Sequence, residues 1–343
     1  MYEAFFGLRV KPFNLTPNPH FLYLSKTHRE VYAHLLYGIQ NRVGFIEVTG
    51  EVGTGKTTIL RSFLYDLDPN IYQVSLIFNP KLTAIELLRT INREFGVPDK
   101  AETSSRLVDA LNQFLLDENF EGRVPVLIID EAQNLSADVL EQIRLISNLE
   151  TETEKLIQIV LAGQPELGAV LSRPELRQLD QRIAVRQHLS ALDLPETCDY
   201  IRHRLKVAGR PDGEVFAPQA LKLIHRLSGG IPRLINLLAD RTLLVGYSEG
   251  IGRMTRREVK QAWQEVKRQG QVEDRRQRKW FSVMAVFGLL LVFGLLLSSQ
   301  LRHVVFGSAE RDKVQTIMLT ETVSGLNRSL EEMPGPSSRG DQK

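Results

Sequence analysis

Two stretches of this chain carry residue types at spacings that could do chemistry. The first is Gly50-Glu51-Val52-Gly53-Thr54-Gly55-Lys56-Thr57, with Thr58 next. Its glycines let the backbone curl so that successive N–H groups point inward, as a loop does when it wraps nucleotide phosphates. Lys56 can reach the β- and γ-phosphates, and the Thr57 hydroxyl is placed to ligate Mg2+. The second is Asp130-Glu131, two carboxylates closing the apolar run Val124-Pro125-Val126-Leu127-Ile128-Ile129. Asp130, at the carboxyl end of a strand, is placed to hold Mg2+ through water. Glu131, one residue on, is the natural base to polarise an attacking water. The implied ligands are ATP and Mg2+, and the implied reaction is ATP hydrolysis.

These residues need elements to hold them, and the flanks supply the elements. Phe45–Thr49 reads as a strand into the loop, and Thr57–Leu64 as a helix out of it. A second strand is expected over Ile71–Ile77. Thr83-Ala84-Ile85-Glu86 is a capping box for the next helix, and another helix runs from about Ser105 to Leu116. Ser136 caps a helix over Ala137–Leu149, Leu156–Ala162 is a fourth strand, and Ile183-Ala184-Val185 begins a fifth. Strands alternating with helices predict an α/β fold whose parallel sheet is covered on both faces. From Pro195 onward the periodicity is helical only: Pro195–Ala208, Pro218–Ser228, Pro232–Tyr247 and Thr255–Arg268, separated by glycines. That predicts a small C-terminal helical lid. At the other end, the segment from Phe5 to Tyr23, rich in aromatics and proline, is expected to be extended and to lead into a helix over Glu30–Gln40. It is either a packed arm or a cover for the adenine base.

Composition bounds the rest. At 343 residues the chain has room for two or three domains, and a formal charge of +2 is too small to argue for nucleic acid. A single cysteine, Cys198, excludes an internal disulfide framework. Met1–Phe6 lacks the cationic start and apolar core of a signal peptide. Phe281–Ser298 carries no charge, and as a helix it would span about 27 Å, close to the roughly 30 Å hydrocarbon core of a bilayer. Arg275, Arg276, Arg278 and Lys279 precede it, with Trp280 at its edge. The expected organisation is an arm and first helix over 1–42, a nucleotide-binding domain over 43–192 and a helical lid over 193–268. A basic linker over 269–279, a transmembrane helix over 280–299 and a short tail over 300–343 follow. The expected location is a bacterial inner membrane, single-pass, with the nucleotide domain cytoplasmic and the tail periplasmic.

A strand between the phosphate-loop strand and the Asp-Glu strand, with a helical lid after the sheet, resembles the AAA+ class of P-loop NTPases. The resemblance implies that Gln164, in Ala162-Gly163-Gln164, senses the γ-phosphate, and that Arg233, in Gly230-Ile231-Pro232-Arg233, touches it from the lid. It implies an arginine finger that completes a neighbouring subunit's site, with Arg182 the first choice and Arg177 the second, and hence a homo-oligomer. The same resemblance makes Asn79, after the second strand, the counterpart of a residue that orients the catalytic glutamate in response to partners. Taken together, YEAFFGL, TPNP, GEVGTGKTT, LIIDEAQNL, LAGQPEL and GGIPR resemble the general secretion pathway protein A family, over about residues 1–268. Its relatives include ATPases of MSHA-type pilus biogenesis and of PEP-CTERM/exopolysaccharide loci. That resemblance implies an inner-membrane ATPase that helps assemble an envelope secretion, pilus or export apparatus, with the proteins of that apparatus as partners. The long periplasmic part of the best-known members is missing, which puts direct peptidoglycan binding in doubt. Two other classes remain as alternatives: a nucleotide-operated switch, and a DNA-directed ATPase related to transposition and replication regulators. The DNA reading rests only on Arg253, Arg256, Arg257, Lys260, Lys267 and Arg268, which a headgroup-facing surface explains better, so nucleic acid is not expected as a partner.

Overall fold

Five short strands form one parallel sheet in the order β2-β3-β4-β1-β5. They are β1 (Phe45–Gly50), β2 (Tyr72–Ile77), β3 (Val124–Ile129), β4 (Gln158–Gly163) and β5 (Ile183–Leu189). The computed structural model describes residues 1–268 apart from 17, 79, 80 and 153. Along β3 every residue is buried, and successive side chains alternate between two cores. Val126 and Ile128 face one side with Ile46, Val48 and Val160, whereas Leu127 and Ile129 face the other with Ile159 and Leu161. Fully burying one such side chain contributes about 1.5–3 kcal/mol, so the all-apolar run has no stable place except mid-sheet.

Helices cover both faces. On the first face α1 (Lys26–Gln40) and α2 (Lys56–Asp66) bury Val31, Leu35, Ile39, Ile59, Leu60 and Phe63. The second is covered by α3 (Ala84–Glu94), α4 (Ser104–Phe120), α5 (Ala137–Ile146) and α6 (Glu166–Leu171), through residues such as Leu87, Leu111, Ile143 and Leu167. Side-chain caps set several starts. Thr83 and Glu86 make the reciprocal box that the sequence predicts. Ser25 accepts from the His28 amide, and so α1 begins at Lys26, a turn before the expected Glu30. A one-turn helix, α7 (Arg177–Asp180), leads into β5.

The helical region comprises α8 (Leu194–Val207), α9 (Pro218–Ser228), α10 (Pro232–Glu249) and a last helix over 256–268. It has its own core, and the N-terminal arm belongs to that core. Tyr2, Phe6, Leu8, Phe13 and Phe21 are buried with Ile201, Leu205, Ile224, Ile235 and Leu243. The packed-arm reading therefore holds for these aromatics, and they fill the core of the helical region rather than the two cores of the sheet.

One expectation is corrected. Among the described residues no helix is long and apolar enough to cross a membrane, which overturns the single-pass inner-membrane placement. The stretch on which that placement rested, 280–299, lies outside the described residues, as do the linker and the tail.

Candidate active site

The phosphate-type loop connects the end of β1 to the start of α2. Gly55 caps α2 in the left-handed region at φ +109°, and no side chain caps the first turn. The backbone donors of that turn, with the positive end of the helix dipole, are thus left for an anion. Gly53, at φ +86°, is needed twice over: a Cβ there would lie 2.7 Å from the Cβ of Arg233. Lys56 is buried, and its ammonium donates to the carbonyls of Gly50 at 2.6 Å and Glu51 at 3.2 Å. Burial pulls the Lys56 pKa below the ordinary lysine value, and the carboxylates of Glu131 and Asp130 only partly oppose it.

Asp130 and Glu131 close β3 beside this loop. Thr57 Oγ1 donates to Asp130 Oδ2 at 2.5 Å, and the Glu131 amide donates to Asp130 Oδ1 at 2.9 Å. Two oxygen donors therefore converge from neighbouring elements. This is the donor chemistry Mg2+ takes, and Mg2+ keeps most of its ligands as water and phosphate oxygens, so no dense carboxylate cluster is required. None occurs among the described residues. Glu131 itself sits in the left-handed region at φ +57°. Its Oε2 accepts from Gln133 Nε2 at 2.7 Å and from Gln164 Nε2 at 3.3 Å.

The helical region completes a cleft of about 440 Å³. Lys56, Thr57, Thr58, Glu131 and Arg233 all line it, with Gly53, Thr54 and Gly55 at the loop. Arg233 stands at the start of α10, where its amide donates to the Gly53 carbonyl at 3.2 Å and its side chain is exposed. Gly230 makes this seating possible, since a Cβ there would lie 2.0 Å from the Leu192 carbonyl oxygen. Glu51 and Val52 form the exposed rim of the loop. The arm contributes the remaining wall, including Asn14, Phe21 and Tyr23, so its second half does border the cleft.

Gln164 is next to Glu131, and Arg233 stands across the cleft. The two finger candidates are elsewhere. Neither Arg182 nor Arg177 lines the cleft of its own chain. Arg182 donates to Ser147 Oγ at 3.0 Å and to Asn148 Oδ1, whereas Arg177 is exposed and makes no ion pair among the described residues. Asn79 lies outside the described residues.

Several contributors have no signature in the sequence. His28 is buried under the loop, where its Nδ1 lies 2.7 Å from Ser25 Oγ. A Cβ on Gly55 would meet its Nε2 at 2.9 Å. Burial lowers the His28 pKa, against a bond to the Thr54 backbone and the charge of Glu196. Arg204 of α8 is buried, and among the described residues it has no carboxylate partner. It donates to the Pro12 carbonyl at 2.6 Å and to Tyr200 Oη at 2.9 Å, and it lies 4.8 Å from the Phe21 ring centroid. It thereby clasps the arm onto the lid. Gln133 was visible in Asp-Glu-Ala-Gln, but only the fold brings it back onto Glu131.

Comparison with known proteins agrees with this geometry. The family model of the AAA domain matches residues 39–171. General secretion pathway protein A of Aeromonas hydrophila is 47% identical over 267 residues, which make up 78% of this chain and 48% of that protein. The chain belongs to this family of AAA ATPases. It spans about half the length of the curated relative it matches. Among solved structures, the ORC2 protein of Aeropyrum pernix, in ADPNP and ADP complexes, superposes with a TM-score of 0.57 at 17% identity, over 74% of this chain and 71% of that one. Cdc6p of Pyrobaculum aerophilum gives 0.56 at 20% identity, over 73% and 71%. At such identities these two establish the fold, an α/β P-loop NTPase with a parallel five-stranded sheet.

Proposed function

We propose that this chain binds ATP with Mg2+ in the cleft between the phosphate loop and the lid and hydrolyses it. In this proposal the hydrolysis supports assembly or operation of a bacterial envelope secretion, pilus or exopolysaccharide export system. The observation that carries the hydrolytic part is the convergence of Lys56, the Thr57–Asp130 pair and Glu131 on one cleft that Arg233 borders from the lid. The loop amides from Gly50 to Thr57 and the first turn of α2 would bind the phosphates, with the Lys56 ammonium countering their charge. Thr57 and Asp130 would hold Mg2+, which when bound neutralises charge developing on the phosphate oxygens. Glu131 would take a proton from water as its oxygen attacks the γ-phosphorus and the bond to the ADP oxygen breaks. Gln164 and Arg233 would register the γ-phosphate from the sheet and from the lid. Arg177 and Arg182 both lie away from their own cleft; because Arg182 is held by Ser147 and Asn148, the exposed Arg177 would be the one to act on a neighbouring subunit, with a homo-oligomer as the working form.

The secretion assignment draws its support from the matched relative's name and from the 47% identity over 267 residues. A second reading, a nucleotide-operated switch that hydrolyses slowly, is favoured by one observation: Glu131 Oε2 is already engaged by two side-chain amides. The test is Glu131→Gln in the full chain, incubated with radiolabelled ATP and passed over a desalting column. The expected outcome is retained ATP with turnover reduced at least about 100-fold. Turnover at the wild-type rate would remove Glu131 from its role.

A further inference from the structure

We infer that Gln133 is a positioning residue for hydrolysis, acting through Glu131 by holding one carboxylate oxygen so that the other faces the attacking water. The inference rests on Glu131 being the base.

The orientation of the Gln133 amide follows from its neighbours. The Gln164 backbone N–H can only donate, and it meets Gln133 Oε1 at 3.0 Å. The nitrogen of the same amide is therefore the atom turned to Glu131 Oε2, at 2.7 Å. Gly163 leaves room for this arrangement, because a Cβ there would fall 2.7 Å from Gln133 Oε1. Gln133 thus spans the ends of β3 and β4, anchored on backbone at one side and on the carboxylate at the other. Glu131 needs such an anchor. It holds a left-handed conformation that non-glycine residues adopt only when their surroundings impose it.

The two amides that meet Glu131 are not equivalent. Gln164 reaches Oε2 at 3.3 Å through a side chain whose proposed task is the γ-phosphate, so its donor must be shared. Gln133 makes the shorter bond, and its oxygen is tied to backbone. When Gln164 turns to the phosphate, Gln133 remains on Oε2, and Oε1 is left as the proton acceptor.

The experiment measures kcat and ATP affinity for full-length Gln133→Ala and Gln133→Glu, beside Glu131→Gln. Gln133→Ala should lower kcat by about 10- to 100-fold while the Kd for a fluorescent ATP analogue stays within about twofold of wild type. Gln133→Glu is nearly isosteric and still accepts from the Gln164 amide. It has no N–H for Glu131, so it should lower kcat at least as far as Gln133→Ala, again with the Kd within about twofold of wild type. Loss of kcat at unchanged ATP affinity in a near-isostere is not expected of a residue that only fills space, and it decides the matter if the alanine variant fails to fold. Wild-type kcat in Gln133→Glu, or faster turnover by Gln133→Ala, would overturn the inference while leaving Glu131 as the base. Wild-type turnover by Glu131→Gln would instead overturn the base assignment and the inference with it.

Discussion

Arg186→Ala tests the electrostatics that brace the strand feeding the phosphate loop. Glu47 sits inside β1 with its side chain 6% exposed, and Arg186 of β5 donates to its Oε2 at 2.6 Å. The same guanidinium donates to the carbonyl and carboxylate of Asp180 at the end of α7, at 2.8 and 2.7 Å. Removing the partner of a fully buried ion costs about 3–5 kcal/mol. Because the Arg186 side chain is 43% exposed, water can replace part of the contact, and the expected loss at neutral pH is about 2 kcal/mol. Burial already raises the Glu47 pKa despite Arg186, and losing Arg186 must raise it further. A carboxyl whose folded pKa exceeds its unfolded one favours the folded state most at low pH, and that advantage disappears as pH rises through the folded value. The deficit of Arg186→Ala relative to wild type should therefore be largest at pH 7–8 and shrink towards pH 5. Urea denaturation across that range measures it, and Glu47→Gln placed in the Arg186→Ala background should restore most of the loss. A deficit independent of pH, or no rescue by Glu47→Gln, would refute the assignment of the cost to an unpaired buried carboxylate.

Three further outcomes follow from the geometry. Gly53→Ala must place a methyl 2.7 Å from the Arg233 Cβ at a φ of +86°, so calorimetric titration should find ATP binding weakened at least about tenfold. Arg204→Met keeps the volume but loses the bonds to Pro12 and Tyr200 and the stacking on Phe21. Destabilisation by about 3 kcal/mol is expected in denaturation followed by the fluorescence of Trp263, which packs on the lid core. Arg177→Ala should lose turnover when pure and regain it when mixed with Lys56→Ala subunits, which carry Arg177 but bind no ATP. Arg182→Ala, whose wild-type side chain is tied to Ser147 and Asn148 of its own chain, should cost mainly stability, about 1 kcal/mol by thermal unfolding.

The phosphate loop and the Asp130-Glu131 pair were legible because each is a run of neighbours whose chemistry needs no distant partner. The alternation of apolar strands and capped helices likewise gave the sheet, since period and capping are local properties: Val124–Ile129 and Pro218–Ser228 end where the sequence puts them. What was illegible lies in contacts between residues far apart in the chain. The aromatics of the arm announced burial, but nothing in Tyr2, Phe6 or Phe13 says that they fill the lid. Arg204 carried no local signal either, because its partner Pro12 is 192 residues away. Gln133 stood in plain view two residues after Glu131, and only the return of β4 beside β3 gives its oxygen a backbone donor. The arginine finger stayed open between two residues because its proposed partner site belongs to another subunit.

Steady-state ATP turnover by the full chain, with Mg2+ titrated and Lys56→Ala beside wild type, tests the central claim most directly. Hydrolysis that requires Mg2+ and falls at least about 100-fold in Lys56→Ala is the predicted result. Equal turnover by wild type and Lys56→Ala, or turnover indifferent to Mg2+, would contradict the assignment of this cleft as the hydrolytic site.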